Sequence, residues 1–336
     1  MPDGWRPDEV NQGGEAGAVK FDLDVADGAC DPRTAYAAAQ KLVNEDHVQA
    51  LIGEFCSSAS IAAAQVAADA QIPMIVHIST ADGIAKSGGP YIFQSIMQNH
   101  DIDAQEEKLL EHEFKFKSAA ILVENNDFGL SFRDNMRKAL GQAGVKVLLD
   151  VAQDYNDTNW YATLTRIQGA PPDIIMMSVS AAQAANFVKQ YAEAGLKIPL
   201  FSDYTPPPYQ FEKQVGPQAG KIGFVRGSFF LASPDNTPKQ KAFVQKYEAL
   251  ASKQLGVAHH AVHWDVVTYD AVKLLAQGVK AAGSTAPDAV AKALAAVKYD
   301  GVLGTYQFDM DREVKPDGFK FLFIKDTPDG GLEVLK

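Results

Sequence analysis

The chain has 336 residues, 46% hydrophobic and 22% charged, with 31 basic against 42 acidic side chains for a formal net charge of −11. That length buries large cores and suggests about two domains, the composition excludes disorder, and the acidic balance excludes a nucleic-acid surface, which needs a basic face to displace counterions. No apolar run spans a bilayer, and the opening MPDGWRPDEV lacks the basic and apolar regions of a signal peptide, so export has to be inferred from elsewhere.

Short apolar runs alternate with Ala-rich stretches of helical period, the pattern of βα units and a mainly parallel sheet. The first cycle predicts a strand over 19–25, a helix over 31–44 with Pro32 in its first turn, and a strand over 48–52. A helix over 58–70 and a strand over 73–78 follow. Segment 91–105 breaks the rhythm with an extended piece at 91–94 leading into a polar stretch, and it reads as a domain crossing. The cycle restarts with a strand over 119–123, a turn over 124–129 and a helix over 130–143. It continues through strand 145–151, helix 158–169, strand 173–179, helix 181–195 and strands 199–202 and 222–225. The proline-rich loop Pro206-Pro207-Pro208 separates the last two strands. Helices over 238–254, 264–283 and 287–296 precede a strand-like tail, with pieces at 306–308 and 319–324.

Two strand-to-helix turns have the composition of a small-anion site. Strand 48–52 delivers Cys56-Ser57-Ser58 to a helix start, whose backbone N–H groups and positive dipole end attract a carboxylate. Strand 73–78 delivers Ile78-Ser79-Thr80 at its own carboxyl end, where open α/β sheets bind ligands. The plainer reading of these hydroxyls is helix capping. Cys30 and Cys56, the chain's two cysteines, read as one disulfide or as two buried thiols; a bridge would close a loop of roughly 26 residues, worth about 3.5 kcal/mol in the chain-entropy model.

In the second half, Asp127-Phe128-Gly129 and Ser202-Asp203-Tyr204 occupy equivalent turns. An aromatic and an acid there suit a zwitterion, the acid meeting an ammonium and the ring covering an apolar part; otherwise they are a turn and a surface loop. His259-His260-Ala261-Val262-His263 could align two imidazoles, but zinc needs three or four ligands and no HExxH or Cys cluster accompanies them, so the run reads as a capped helix start. No nucleophile, phosphate-loop or dinucleotide motif is present, so no cofactor is expected and the chain reads as a binder.

Taken in order, these features resemble the class I periplasmic binding proteins of ABC importers, in the branched-chain amino-acid branch. Val10-Asn11-Gln12-Gly13-Gly14 resembles that family's IN-x-x-GG element. Ala29-Cys30-Asp31-Pro32 with Lys41-Leu42-Val43 resembles its DACDP…KLV stretch, and Gly53-Glu54-Phe55-Cys56-Ser57-Ser58 its G-x-x-CSS. Pro73-Met74-Ile75, Asp127-Phe128-Gly129, Glu193-Ala194-Gly195-Leu196, Thr268-Tyr269-Asp270-Ala271 and Gly304-Thr305-Tyr306-Gln307-Phe308 extend the match over nearly the whole chain.

The resemblance implies a Cys30–Cys56 disulfide and a periplasmic location. It implies that Ser57 and Thr80, with Ser79 and backbone groups near Cys56 and Ile78, hold a ligand carboxylate. The family's tyrosine in its YG turn is Phe128 here; its ammonium-binding acid falls at Tyr204 or, with a one-residue shift, Asp203; another tyrosine falls at Ser180; and Trp264 is the aromatic five residues before Tyr269. These departures point to a wider, more aromatic pocket.

The implied architecture is α/β, two lobes that are each a parallel sheet flanked by helices. Residues 1–98 and 228–304 would form one lobe, and 99–227 and 305–336 the other, with crossings near Gln98, Gly227 and Gly304. Ligand, an amino acid or a small carboxylate, would sit between the lobes and be enclosed by hinge closure. The implied partner is the membrane permease of an ABC importer, and the protein itself is expected to be a monomer. Family members begin with a strand and a helix before the IN-x-x-GG element, so this chain is expected to lack that strand through a shortened or misplaced start. A ligand-sensing domain of a receptor is the rival reading, and an enzyme a third.

Overall fold

The computed structural model describes residues 8–113, 115–204, 206, 210–256 and 260–335; residues 1–7, Pro207, Pro208 and His259, which entered the expectations above, lie outside the described residues. The strands are β1 (Leu51–Ile52), β2 (Met74–Val76), β3 (Ile92–Gln94), β4 (Ser118–Glu124), β5 (Lys146–Gln153), β6 (Ile174–Ser178), β7 (Leu200–Ser202), β8 (Val225–Ser228), β9 (Lys298–Asp300), β10 (Thr305–Gln307), β11 (Leu322–Asp326) and β12 (Leu332–Leu335). The chain divides into two compact units. Unit 1 takes residues up to Gln98 together with Leu231–Lys320, and unit 2 takes Asn99–Phe230 together with the chain from Phe321 onward.

Unit 1 is built on the parallel sheet β1-β2-β3 and the antiparallel ribbon β9-β10. The helices Pro32–Asn44 and Ser57–Asp69 pack beside that sheet through small side chains, with Ala39, Ala63, Ala64 and Ala67 meeting Met74, Val76 and Ile92. Asp31 starts the first helix by accepting from the Thr34 N–H at 2.8 Å, with Pro32 in the first turn, where its missing N–H costs nothing.

Unit 2 is a seven-stranded sheet of order β12-β11-β8-β7-β6-β4-β5, parallel from β8 to β5, with β11 antiparallel to both neighbours. Strand periodicity sorts its core into two layers. Ala119, Ile121, Val123, Ile174 and Met176 join one cluster, while Ala120, Leu122, Ile175 and Met177 join the other, so both faces are covered and the strands read as unbroken apolar runs.

Four expectations need correction. Residues 19–25 form no strand: β1 pairs only with β2 among the described residues, and the backbone of Phe21 is satisfied by the Asn11 side-chain amide, at 2.7 and 2.8 Å. The polar stretch after 94 is a helix, Asn99–Glu113, whose buried stripe of Ile102, Asp103, Glu106, Leu109 and Leu110 carries two acids at core positions and so hides its helical period. Residues 218–222 are a short helix ended by Gly223 at φ 67°, and the strand begins only at Val225. The last crossing falls after Lys320 rather than at Gly304, because β10 pairs with β9 and Gln94 exchanges backbone bonds with Arg312 and Val314.

Candidate functional site

In unit 1, Cys30 and Cys56 are joined by a disulfide, their Cα atoms 5.2 Å apart, and Cys56 is the cap residue of helix Ser57–Asp69. The first-turn N–H groups of that helix have no carbonyl one turn back to receive them. The Ser57 hydroxyl accepts from the Ala81 N–H at 3.3 Å, which ties the helix start to the loop after β2 and brings Ser57 to the stretch Ile78-Ser79-Thr80. Ser57, Ile78, Ser79 and Thr80 are all buried.

Ser79 belongs to the framework of this turn: its Oγ lies 2.7 Å from Ser60 Oγ and within 3.1–3.2 Å of the Glu54 and Phe55 carbonyls. Gln94 braces the same loop, its amide donating to the Ser79 and Ala81 carbonyls at 2.9 and 3.2 Å. Sequence reasoning missed Ser60 and Gln94, and a lone serine or glutamine carries no signal of such a role. Trp264, in the first turn of helix His263–Ala282, meets Phe55 edge-to-face at 4.8 Å, and its indole N–H has no partner among the described residues. Phe55, 44% exposed, is an aromatic that the motif G-x-x-CSS already contained.

In unit 2, the turn after β4 is organised by the buried Glu124, whose carboxylate accepts from the Asn126 amide at 2.9 Å and from the Ser180 N–H. Asn126 caps helix Asp127–Gln142 by accepting from the Gly129 N–H at 3.0 Å. Ser180 caps helix Ala181–Glu193, accepting from Gln183, so its hydroxyl serves the helix start, the plainer of the roles open to it. The Phe128 carbonyl accepts from the Asn99 amide at 3.1 Å, and the Phe128 ring begins an edge-to-face series through Tyr204 (6.1 Å), Phe229 (5.2 Å) and Phe321 (5.0 Å).

Asp203 follows β7 and is 2% exposed, its Oδ2 accepting from the Ser178 hydroxyl at 2.5 Å. The surface-loop reading of Asp203 therefore fails. Glu106 is buried near it, and burial, reinforced by the negative charges of Asp103 and Asp203, pushes the Glu106 carboxyl well above the ordinary range. A buried carboxylate next in sequence to Tyr204, a member of that edge-to-face series, has the chemistry to receive an ammonium attached to an apolar body. His260 pairs with Glu248 at 3.1 Å, and among the described residues no three His, Cys, Asp or Glu side chains gather as a metal site. No helix among them is long and apolar enough to cross a membrane.

A family model described as periplasmic binding protein matches residues 5–318 of the chain. The leucine-, isoleucine-, valine-, threonine-, and alanine-binding protein of Pseudomonas aeruginosa is 24% identical over 308 residues, 92% of this chain and 80% of that protein. Among solved structures, the branched-chain amino acid transporter substrate binding protein LivJ of Streptococcus pneumoniae, in complex with isoleucine, is similar with a TM-score of 0.85 at 22% identity, covering 99% of this chain and 92% of that one. An ABC transporter solute binding protein of R. palustris in complex with benzoate is similar with a TM-score of 0.84 at 24% identity, covering 96% and 87%.

Proposed function

The chain belongs to the periplasmic binding protein family, and on that footing we propose that it is the extracytoplasmic solute-binding component of an ABC importer, taking an amino acid with an apolar side chain and passing it to a membrane permease. In this reading unit 1 receives the carboxylate at the start of helix Ser57–Asp69, through Ser57, Thr80 and backbone N–H groups. Unit 2 receives the ammonium at Asp203 and covers the apolar part with Phe128 and Tyr204.

The observation that carries the reading is the burial of Asp203, the residue before Tyr204. A carboxylate held at 2% exposure is costly to desolvate, and a cationic head group would offset that cost. The second reading is an aromatic or aliphatic carboxylate, favoured by the half-exposed Phe55 against Trp264 next to the carboxylate end and by the benzoate held in the R. palustris protein.

A thermal-shift panel tests the two. A ligand at a hundred times its Kd adds about 2.7 kcal/mol of stability. Stabilisation by leucine, isoleucine, valine or phenylalanine, lost in Asp203→Asn, supports the amino-acid reading; stabilisation by benzoate and by none of those amino acids overturns it in favour of the second.

A further inference from the structure

Glu106 lies inside helix Asn99–Glu113 on the stripe that faces the core of unit 2, where helical periodicity calls for an apolar side chain. It is fully buried, and neither carboxyl oxygen has a hydrogen-bond partner among the described residues. The space for it is made by Gly227 in β8: a methyl group there would come within 3.1 Å of Glu106 Oε1 and 2.4 Å of the Phe321 ring. A buried carboxyl without partners is costly as an anion, and a leucine would serve the stripe better as packing.

The groups that act on Glu106 are all identifiable. Asp103 comes from its own helix, with one oxygen held by the Asn135 amide at 2.9 Å; Asp203 comes from the segment after β7, held by Ser178; Gly227 of β8 lies beside the Glu106 carboxyl with the Phe321 ring against it, and neither titrates. Both charges acting on it are negative. Asp103 and Asp203 each have a donor that stabilises an anion, and Glu106 has none among the described residues, which makes Glu106 the member of the set best suited to hold a proton.

We propose that Glu106 is the proton reservoir of the ammonium site: it is neutral while the site is empty, and an ammonium arriving beside Asp203 drives its proton to solvent, so that the protein takes up its ligand's positive charge in exchange for H+. The inference rests on the amino-acid reading above and adds a regulated step to it. The balance closes on one proton: the carboxyl O–H of Glu106 breaks, its electron pair stays on the carboxylate, the proton leaves to water, and the entering ammonium supplies the compensating charge. Glu106 is a positioning residue, acting on the ligand through the field it shares with Asp203. Asp203 and Glu106 are both buried, and exclusion of water from the two keeps that coupling strong.

Two measurements test this. In ligand-free protein, 13C NMR of labelled glutamate carboxyls, assigned with Glu106→Gln, is expected to show Glu106 still protonated at pH 7; an ionised Glu106 at pH 7 overturns the proposal and leaves the amino-acid reading untouched. Calorimetric titration with leucine and phenylalanine, in phosphate and in Tris, is expected to give release of up to one proton per ligand and affinity rising up to tenfold per pH unit. Glu106→Gln abolishes both effects. Binding of either amino acid to the wild-type protein without proton release overturns the proposal alone. Binding of benzoate and of neither amino acid overturns both readings, a result told apart from the others by the failure of the panel itself.

Discussion

In the proposed reading, single side chains divide the ligand between them. Ser57 accepts from the Ala81 N–H, which leaves its O–H to donate, and a hydrogen bond to a buried carboxylate is worth about 1.5–3 kcal/mol. Ser57→Ala and Thr80→Ala are each expected to weaken amino-acid binding by roughly tenfold to more than a hundredfold; calorimetry finding both unchanged would reduce these residues to elements of the turn. His77, which follows β2, has a different consequence. It is 7% exposed, and burial pulls its imidazole down to about 4 from the ordinary 6.5. The native state therefore binds fewer protons than the unfolded chain, so stability is full above pH 6.5 and is lost as pH falls toward 4. By pH 4.5 the wild-type protein is expected to have lost about 2–3 kcal/mol more than His77→Leu, relative to each protein at pH 7.5, as read by urea unfolding at both pH values.

At the scale of elements, the site depends on turns that tolerate no Cβ. A methyl group at Gly129 would lie 2.3 Å from the Glu124 carbonyl oxygen and 2.8 Å from its nitrogen, backbone atoms that cannot swing aside. Gly129→Ala is expected to cost about 2–3 kcal/mol and to weaken ligand binding by displacing Phe128; a circular-dichroism melt and a binding titration both unchanged would refute this. The elements that were legible beforehand are those in which local pattern and tertiary role agree. The helices that begin near Asp31 and Ser57 announce themselves by a cap, a proline or a run of alanines, and β4 and β6 by continuous apolar residues covered on both faces. Helix Asn99–Glu113 was not legible, because Asp103 and Glu106 stand where apolar residues would mark its buried face. Residues 19–25 alternate like a strand, yet a strand exists only where a neighbour accepts its hydrogen bonds.

Over the whole molecule, each unit has its own sheet and its own hydrophobic core, and the disulfide lies wholly in unit 1. Closing a loop of 26 residues is worth about 3.5 kcal/mol, all of it to that unit. Scanning calorimetry of the ligand-free protein is expected to show reduction of the bridge lowering the transition of unit 1 and sparing that of unit 2; an equal shift of both would mean that the units unfold as one. The order of motifs along the chain was enough to indicate the family, the α/β class and the Cys30–Cys56 pairing. Those properties are carried by residue type and spacing, which a sequence displays directly. Three things were decided only in the folded chain: the burial of Asp203, the carboxyl of Glu106 beside Gly227 with no partner among the described residues, and the return of residues 305–320 to unit 1 through Gln94. Each arises from residues far apart in sequence that meet only after the sheets have formed, and charge states follow from that meeting because desolvation and neighbouring charges, rather than residue type, set where a carboxyl holds its proton.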